Sequence, residues 1–234
     1  MNLKAGPNDS TDNGHSKLMK VREKYLLAPF TEYFAKLRVL ELAPFSGWFT
    51  RFIVNEGAAD VQVIELNRWA VKALLRDFSK EILEGKLKIH EADIHTKLYE
   101  FASAQFDTVI CLGFLYHTPH VIWVLEGMAR LQPEFILIET FDGTSFSLAA
   151  EKINEPGMRQ SDHLCLPFHA CVPKKLLVEW MKLLGYEVLR EIDKSDAILP
   201  LDPEISEFTR DCFKRWVEQY SIWFKKVPLK IGHL

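Results

Sequence analysis

The chain lacks any run of about 18 apolar residues, so its sequence predicts no membrane-spanning helix. Its opening, MNLKAGPNDSTDNGHSK, lacks the apolar stretch of a secretory signal, and a cytoplasmic location is expected. Cysteine is scarce: Cys111, Cys165, Cys171 and Cys212 are too few for a disulfide framework in a chain this long, and reduced thiols are the simplest expectation. Neither sign of charge prevails, with 29 Lys and Arg against 32 Asp and Glu. The net charge of -3 excludes a global attraction to nucleic acid. Residues 210–230 do hold six basic residues against two acidic ones, a surplus usually found on a solvated helix face. No internal repeat is visible.

What is present describes a globular protein: 48% hydrophobic residues, 26% charged residues and a mean hydropathy of -0.05. The 234 residues suffice for one α/β core and leave little for a second. Residues 1–16 show no apolar period and read as a disordered tail, with 17–234 as a single domain. Pro29 should interrupt any helix begun in KLMKVREKYLLAPF. Beyond it, strand-like runs alternate with helical ones. RVLELA is followed by SGWFTRFIVNEG, VQVIEL by NRWAVKALLRDFSKEILEG with Asn67 as cap, and KLKIHEAD by FDTVICLGFLYH, HVIWVLEGMARL and EFILIET. This alternation predicts a Rossmann-like, seven-stranded, mostly parallel sheet with helices on both faces. The pattern lapses over 141–173, an expected insertion near the site, and resumes with PKKLLVEWMKLLGYEVLREID. Residues 204–226 read as a C-terminal helix whose aromatic stripe suits the core or a homodimer seam.

The informative stretch is VLELAPFSGWFT: a buried strand with an acid at Glu41, a turn ending in Gly47, then a helix. A nucleotide approaching such a strand end needs uncluttered backbone and an acid further on for the ribose hydroxyls. Glu65, eighteen residues after Gly47, stands where that acid is needed. The loop is short of glycine. Where a nucleotide-binding turn often reads G-x-G-x-G, this chain has Ala43, Phe45 and Gly47. A pyrophosphate pressed on the helix N-terminus demands those glycines, so the departure counts against an NAD-type oxidoreductase. It counts less against S-adenosylmethionine, which carries no phosphate.

ELAPFSG, VIELN, EADI and FDTVICLGFLYH occur in the order shown by class I S-adenosylmethionine-dependent methyltransferases, and residues 37–140 resemble that family. The resemblance implies that Glu41, Ala43, Pro44, Phe45 and Gly47 cradle the methionine part of S-adenosyl-L-methionine. It implies that Glu65 and Leu66 meet the ribose, Asp93 and Ile94 flank adenine, and Leu112 and Gly113 border the methyl group. GFLYH, ILIET and PKKLLVEWMKLLGYEV further resemble the tRNA wobble-uridine (carboxy)methyltransferase-like group, in which the tyrosine of LYH, here Tyr116, lies beside the reactive end of the cofactor.

Methyl transfer needs an aligned, desolvated approach and somewhere for the acceptor's proton to go. His117, beside Tyr116 at a strand's C-terminal rim, suits a general base, and the bland alternative is a loop hydrogen bond. Tyr116, Glu139, Arg159, His163 and His169 are candidates for the acceptor pocket, whose occupant is a small molecule or an RNA base. His163, Cys165, His169 and Cys171 are zinc-binding residue types, but H-x-C-x3-H-x-C lacks the usual two-residue gap, and no metal is expected. A non-catalytic cofactor-binding or scaffold protein of the same fold is the alternative, supported by Ala43 and Phe45.

Overall fold

The structure, a computed structural model, describes residues 13–143, 147–150, 168–198, 205 and 207–228. In chain order the strands are β1 (Arg38–Leu42), β2 (Asp60–Glu65), β3 (Leu87–Glu91), β4 (Thr108–Leu112), β5 (Phe135–Phe141), β6 (Ser147–Ala150), β7 (Phe168–Cys171), β8 (Tyr186–Glu191) and β9 (Gln219–Lys226). The helices are α1 (Asn13–Leu26), α2 (Trp48–Asn55), α3 (Arg68–Asp77), α4 (Ser79–Leu83), α5 (Ile94–Glu100), α6 (Val121–Arg130), α7 (Lys174–Leu183) and α8 (Glu207–Glu218). Seven strands make one sheet in the order β3-β2-β1-β4-β5-β9-β8. Every pairing from β3 to β5 is parallel, and β9 runs antiparallel to both β5 and β8. β6 and β7 pair separately within the stretch expected as an insertion.

Strand periodicity sorts the interior into two layers. Leu40, Leu42, Ile64, Val109, Cys111, Ile136 and Ile138 face α5, α6 and α7. Val39, Val61, Val63, Ile110, Leu112 and Leu137 face the other way, toward Met19 and Leu26 of α1, Phe49 and Ile53 of α2, and Leu74 of α3. The same alternation puts Glu41, Glu65 and Glu139 on this second face, beside Val39, Val63 and Leu137. Three carboxylates therefore enter the protein from the same face of the sheet, near the C-terminal ends of β1, β2 and β5.

Three sequence expectations are corrected. Helix α1 starts at Asn13, inside the segment read as a disordered tail. The C-terminal helix stops at Glu218, and Gln219–Lys226 is a strand. The reason is burial on both faces: Tyr220, Ile222 and Phe224 join one layer and Trp223 the other, which only a strand between β5 and β8 achieves. Trp216, Tyr220, Trp223 and Phe224 of the aromatic stripe are buried in the core. The helix expected over 67–85 divides at Phe78, whose backbone (φ -118°, ψ 22°) leaves the helical range. There its ring is 1% exposed in the second layer, with the Arg51 guanidinium carbon 3.7 Å from its centroid.

Candidate functional site

Strand order reverses between β1 and β4, and ligands of open α/β sheets bind outside the C-terminal strand ends at such a point. The residues expected to hold a nucleoside meet there. The β1–α2 loop is left-handed at each of the three positions where glycine is usual: Ala43 (φ 50°), Phe45 (φ 48°) and Gly47 (φ 72°). Left-handed backbone costs a residue with a Cβ about 1–2 kcal/mol, so the first two are held by their surroundings. Ala43 N–H donates to the Ile64 carbonyl (2.9 Å), and Phe45 N–H donates to Glu65 Oε2 (3.0 Å). At Gly47 a substitution would also have to displace buried side chains, because a Cβ would lie 2.5 Å from Leu74 Cδ2 and 2.7 Å from Phe78 Cε2. Packing of α3 against the loop thus explains the one glycine that is kept.

Glu65 is 5% exposed. Its Oε1 accepts the Asn67 N–H at 2.8 Å while Oε2 takes Phe45, so the carboxylate joins the ends of β1 and β2. Asn67 caps α3 as expected, accepting from Trp69 N (2.9 Å) and Ala70 N (3.2 Å). Phe45 is 39% exposed, and its ring belongs to neither core layer, so it does not fill the interior of the loop. Glu41, 2% exposed, accepts the Thr50 hydroxyl at 2.6 Å. Burial raises its carboxyl to about 7, with the Thr50 bond opposing and the Glu65 charge adding to the rise. Past β3, Asp93 caps α5 and is half exposed, with Ile94 buried beneath it.

Beyond β4, Gly113 (φ 73°) leads into a 3-10 turn, Leu115–His117. A Cβ at Gly113 would lie 3.3 Å from Tyr116 Oη and 3.7 Å from Arg22 Nη2, so the bare backbone leaves a small recess beside these polar groups. The Tyr116 ring packs between His117 (4.3 Å between centroids) and Phe141 (4.6 Å). Burial pushes its hydroxyl up to about 12, against the nearby Arg22 charge. Tyr116 is therefore a hydrogen-bond donor at neutral pH and no base, which leaves His117 as the candidate proton acceptor.

Glu139 lies elsewhere than the sequence suggested. It is inside an ion cluster at 0% exposure, not on a pocket wall. Arg22 Nη2 donates to its Oε2, and Trp216 Nε1 (2.7 Å), Ser221 Oγ (3.3 Å) and Lys194 Nζ (3.4 Å) donate to its Oε1. Burial alone would raise its pKa, but the Arg22 and Lys194 charges outweigh that and hold it below the usual carboxylate range. Sequence reasoning missed Arg22, Lys194, Thr50 and His95, which are ordinary polar residues until the fold brings them to the strand ends. Arg159 and His163 lie outside the described residues, as does the His169 side chain. Among the described residues no cluster of three metal-ligating side chains exists.

Residues 40–134 match the family model described as a methyltransferase domain. No curated protein sequence matches the chain. Among solved structures, an S-adenosylmethionine-dependent methyltransferase from Mesorhizobium loti is 14% identical, with a TM-score of 0.60 over 88% of this chain and 98% of that one. Magnesium protoporphyrin IX methyltransferase from Synechocystis, with bound S-adenosylmethionine, is 12% identical (TM-score 0.57; 92% of this chain, 80% of that one). The cyclase SpnF is 11% identical (TM-score 0.59; 90% and 80%). The sheet order and these neighbours define the class I methyltransferase fold. At such low identity the neighbours speak to the fold alone and choose no acceptor.

Proposed function

We propose that this chain transfers the methyl group of S-adenosylmethionine to a small molecule or to a nucleic-acid base. The observation that carries the reading is the left-handed loop at Ala43, Phe45 and Gly47, clasped to Glu65 through the Phe45 amide. The residues present fit the cofactor: the loop keeps a glycine-like backbone path, Phe45 stays out of the core, and Gly113 leaves a recess that a side chain would fill. When bound, S-adenosylmethionine supplies an electrophilic methyl carbon on a positively charged sulfur. Glu65 and Leu66 hold the ribose, Asp93 and Ile94 the adenine, and the segment from Glu41 to Gly47, with Pro44, the amino-acid end. Leu112 and Gly113 border the transferred carbon. Tyr116 donates a hydrogen bond to the acceptor, and His117 takes the proton that an acceptor N–H or O–H loses.

The likeness of GFLYH and ILIET to the tRNA wobble-uridine group favours an RNA base among the acceptors. Arg159, His163 and His169 are proposed to line the acceptor side, in a cytoplasmic protein. Among the described residues no helix is long and apolar enough to cross a membrane.

Titration calorimetry with S-adenosylhomocysteine tests the reading: binding at about micromolar strength is expected, and its absence refutes the proposal. Glu65→Ala should weaken that binding by roughly five- to 150-fold, the effect of losing about 1–3 kcal/mol of charged hydrogen bonding. Unchanged affinity would remove Glu65 from the site. The second reading, a non-catalytic binding protein, rests on the side chains at Ala43 and Phe45. It predicts cofactor binding without transfer of tritiated methyl to any acceptor in an extract. If transfer is found, a steep loss of acceptor affinity with salt identifies a nucleic acid.

A further inference from the structure

Asp93, His95 and Thr118 form one hydrogen-bonded chain across the ends of β3 and β4. His95 Nδ1 lies 2.7 Å from Asp93 Oδ1, which also accepts the His95 backbone N–H at 2.8 Å. His95 Nε2 lies 2.7 Å from Thr118 Oγ1, and that oxygen accepts the His120 N–H at 3.0 Å. One order of protons satisfies every group: Nδ1–H to Asp93, Thr118 O–H to Nε2, and His120 N–H to Oγ1. Thr118 is 1% exposed, so its hydroxyl needs this partner. Asp93 is half exposed, and its Oδ2 has no partner among the described residues.

Helix capping alone requires only the backbone bond to Asp93 Oδ1. The imidazole adds a second bond to the same oxygen, which fixes the carboxylate's rotation and leaves Oδ2 directed away from the cap. An exposed aspartate without such a brace would sample several rotamers, and binding would have to order it. The far end of the chain matters as well. Thr118 directly follows the turn carrying Tyr116 and His117, so the same imidazole anchors that turn to the β3 end.

We propose that His95 is a positioning residue: it aims Asp93 as the acceptor for the exocyclic amine of the cofactor's adenine, and through Thr118 it ties adenine recognition to the turn bearing Tyr116 and His117. The inference rests on the nucleoside site proposed above, Asp93 at the adenine included, and adds to it the residue that braces Asp93.

The test compares the dissociation constants of S-adenosylhomocysteine and S-inosylhomocysteine, which has a carbonyl oxygen in place of the 6-amino group. A carboxylate accepts from the amine and repels the carbonyl, so the wild type should prefer the adenine ligand by about tenfold or more. His95→Ala should erase most of that preference by weakening only the adenine ligand. Thr118→Val should reduce it in the same way, and Thr118→Ser should restore it. A merely structural role would weaken both ligands alike and leave the ratio unchanged, and an unchanged ratio in His95→Ala overturns the proposal. Should His95→Ala fail to fold, the Thr118 pair decides by the same ratio. A wild type that binds both ligands equally refutes the role of Asp93 and His95 while the nucleoside site stands. A wild type that binds neither refutes the site and this inference with it.

Discussion

Glu139→Ala is expected to destabilise the protein by about 3–5 kcal/mol, the usual effect of removing one partner from a buried ion pair. The loss comes less from the attraction forfeited than from what stays behind. Arg22 and Lys194 have side chains 16% and 4% exposed, and without Glu139 both cations remain inside with no countercharge among the described residues. The Lys194 ammonium would keep the carbonyls of Trp216 (3.2 Å) and Gln219 (3.0 Å), whereas Trp216 Nε1 and Ser221 Oγ would lose the acceptor they share. For a chain of this length the change corresponds to a fall in melting temperature of roughly 6–20 °C, read by circular dichroism. Glu139→Gln keeps an oxygen for Trp216 and should fall between the alanine variant and the wild type. Because the Glu139 pKa is depressed, its contribution is present above the ordinary carboxylate range and is lost as pH falls through that range and below. A loss under about 1 kcal/mol would mean that water reaches the cluster, contrary to its burial.

The cluster also marks a limit of reading this chain as a string. Glu139 ends a buried strand at the ligand-binding rim, which is also how an acceptor-binding acid would read. What redirects it is Arg22 and Lys194, separated from it by 117 and 55 residues. No local pattern pairs them. The strands that build the site were legible because each is a short apolar run between turn signals, and the Asn67 cap follows from position alone. The loop was only half legible. Ala43 and Phe45 looked like a departure from a glycine-rich turn, yet their backbones adopt the left-handed conformation, enforced by the Ile64 carbonyl and the Glu65 carboxylate. Gly47 is a glycine for a reason that lies in α3, at Leu74, and just past its end at Phe78. The aromatic C-terminal segment misled because spacings of three to five suit a helix. Its last residues needed both layers of the core, and tertiary burial overrode the local period.

Glu41 carries the second large prediction, with the opposite pH dependence. Its folded pKa is raised from the ordinary 4.5 to about 7, by burial first. Between those values the folded chain retains a proton that the unfolded chain has released, so stability declines as pH rises across this window. Above about pH 7 the full cost is present, on the order of 3 kcal/mol. Glu41→Gln keeps a hydrogen-bonding partner for the Thr50 hydroxyl and removes the titration. It should therefore melt near the wild type at pH 5 and about 6–12 °C above it at pH 8. Glu139 and every other ionisable group stay in place in this variant, so the difference between the two melting curves isolates Glu41 even though the wild-type profile sums several opposing titrations. A difference that does not grow between pH 5 and pH 8 would show that Glu41 is ionised throughout that range, stabilised by water or by a cation at the loop. In that case Thr50→Val becomes the informative change, since an ionised and buried carboxylate depends on that hydroxyl and the variant should then lose stability at pH 8.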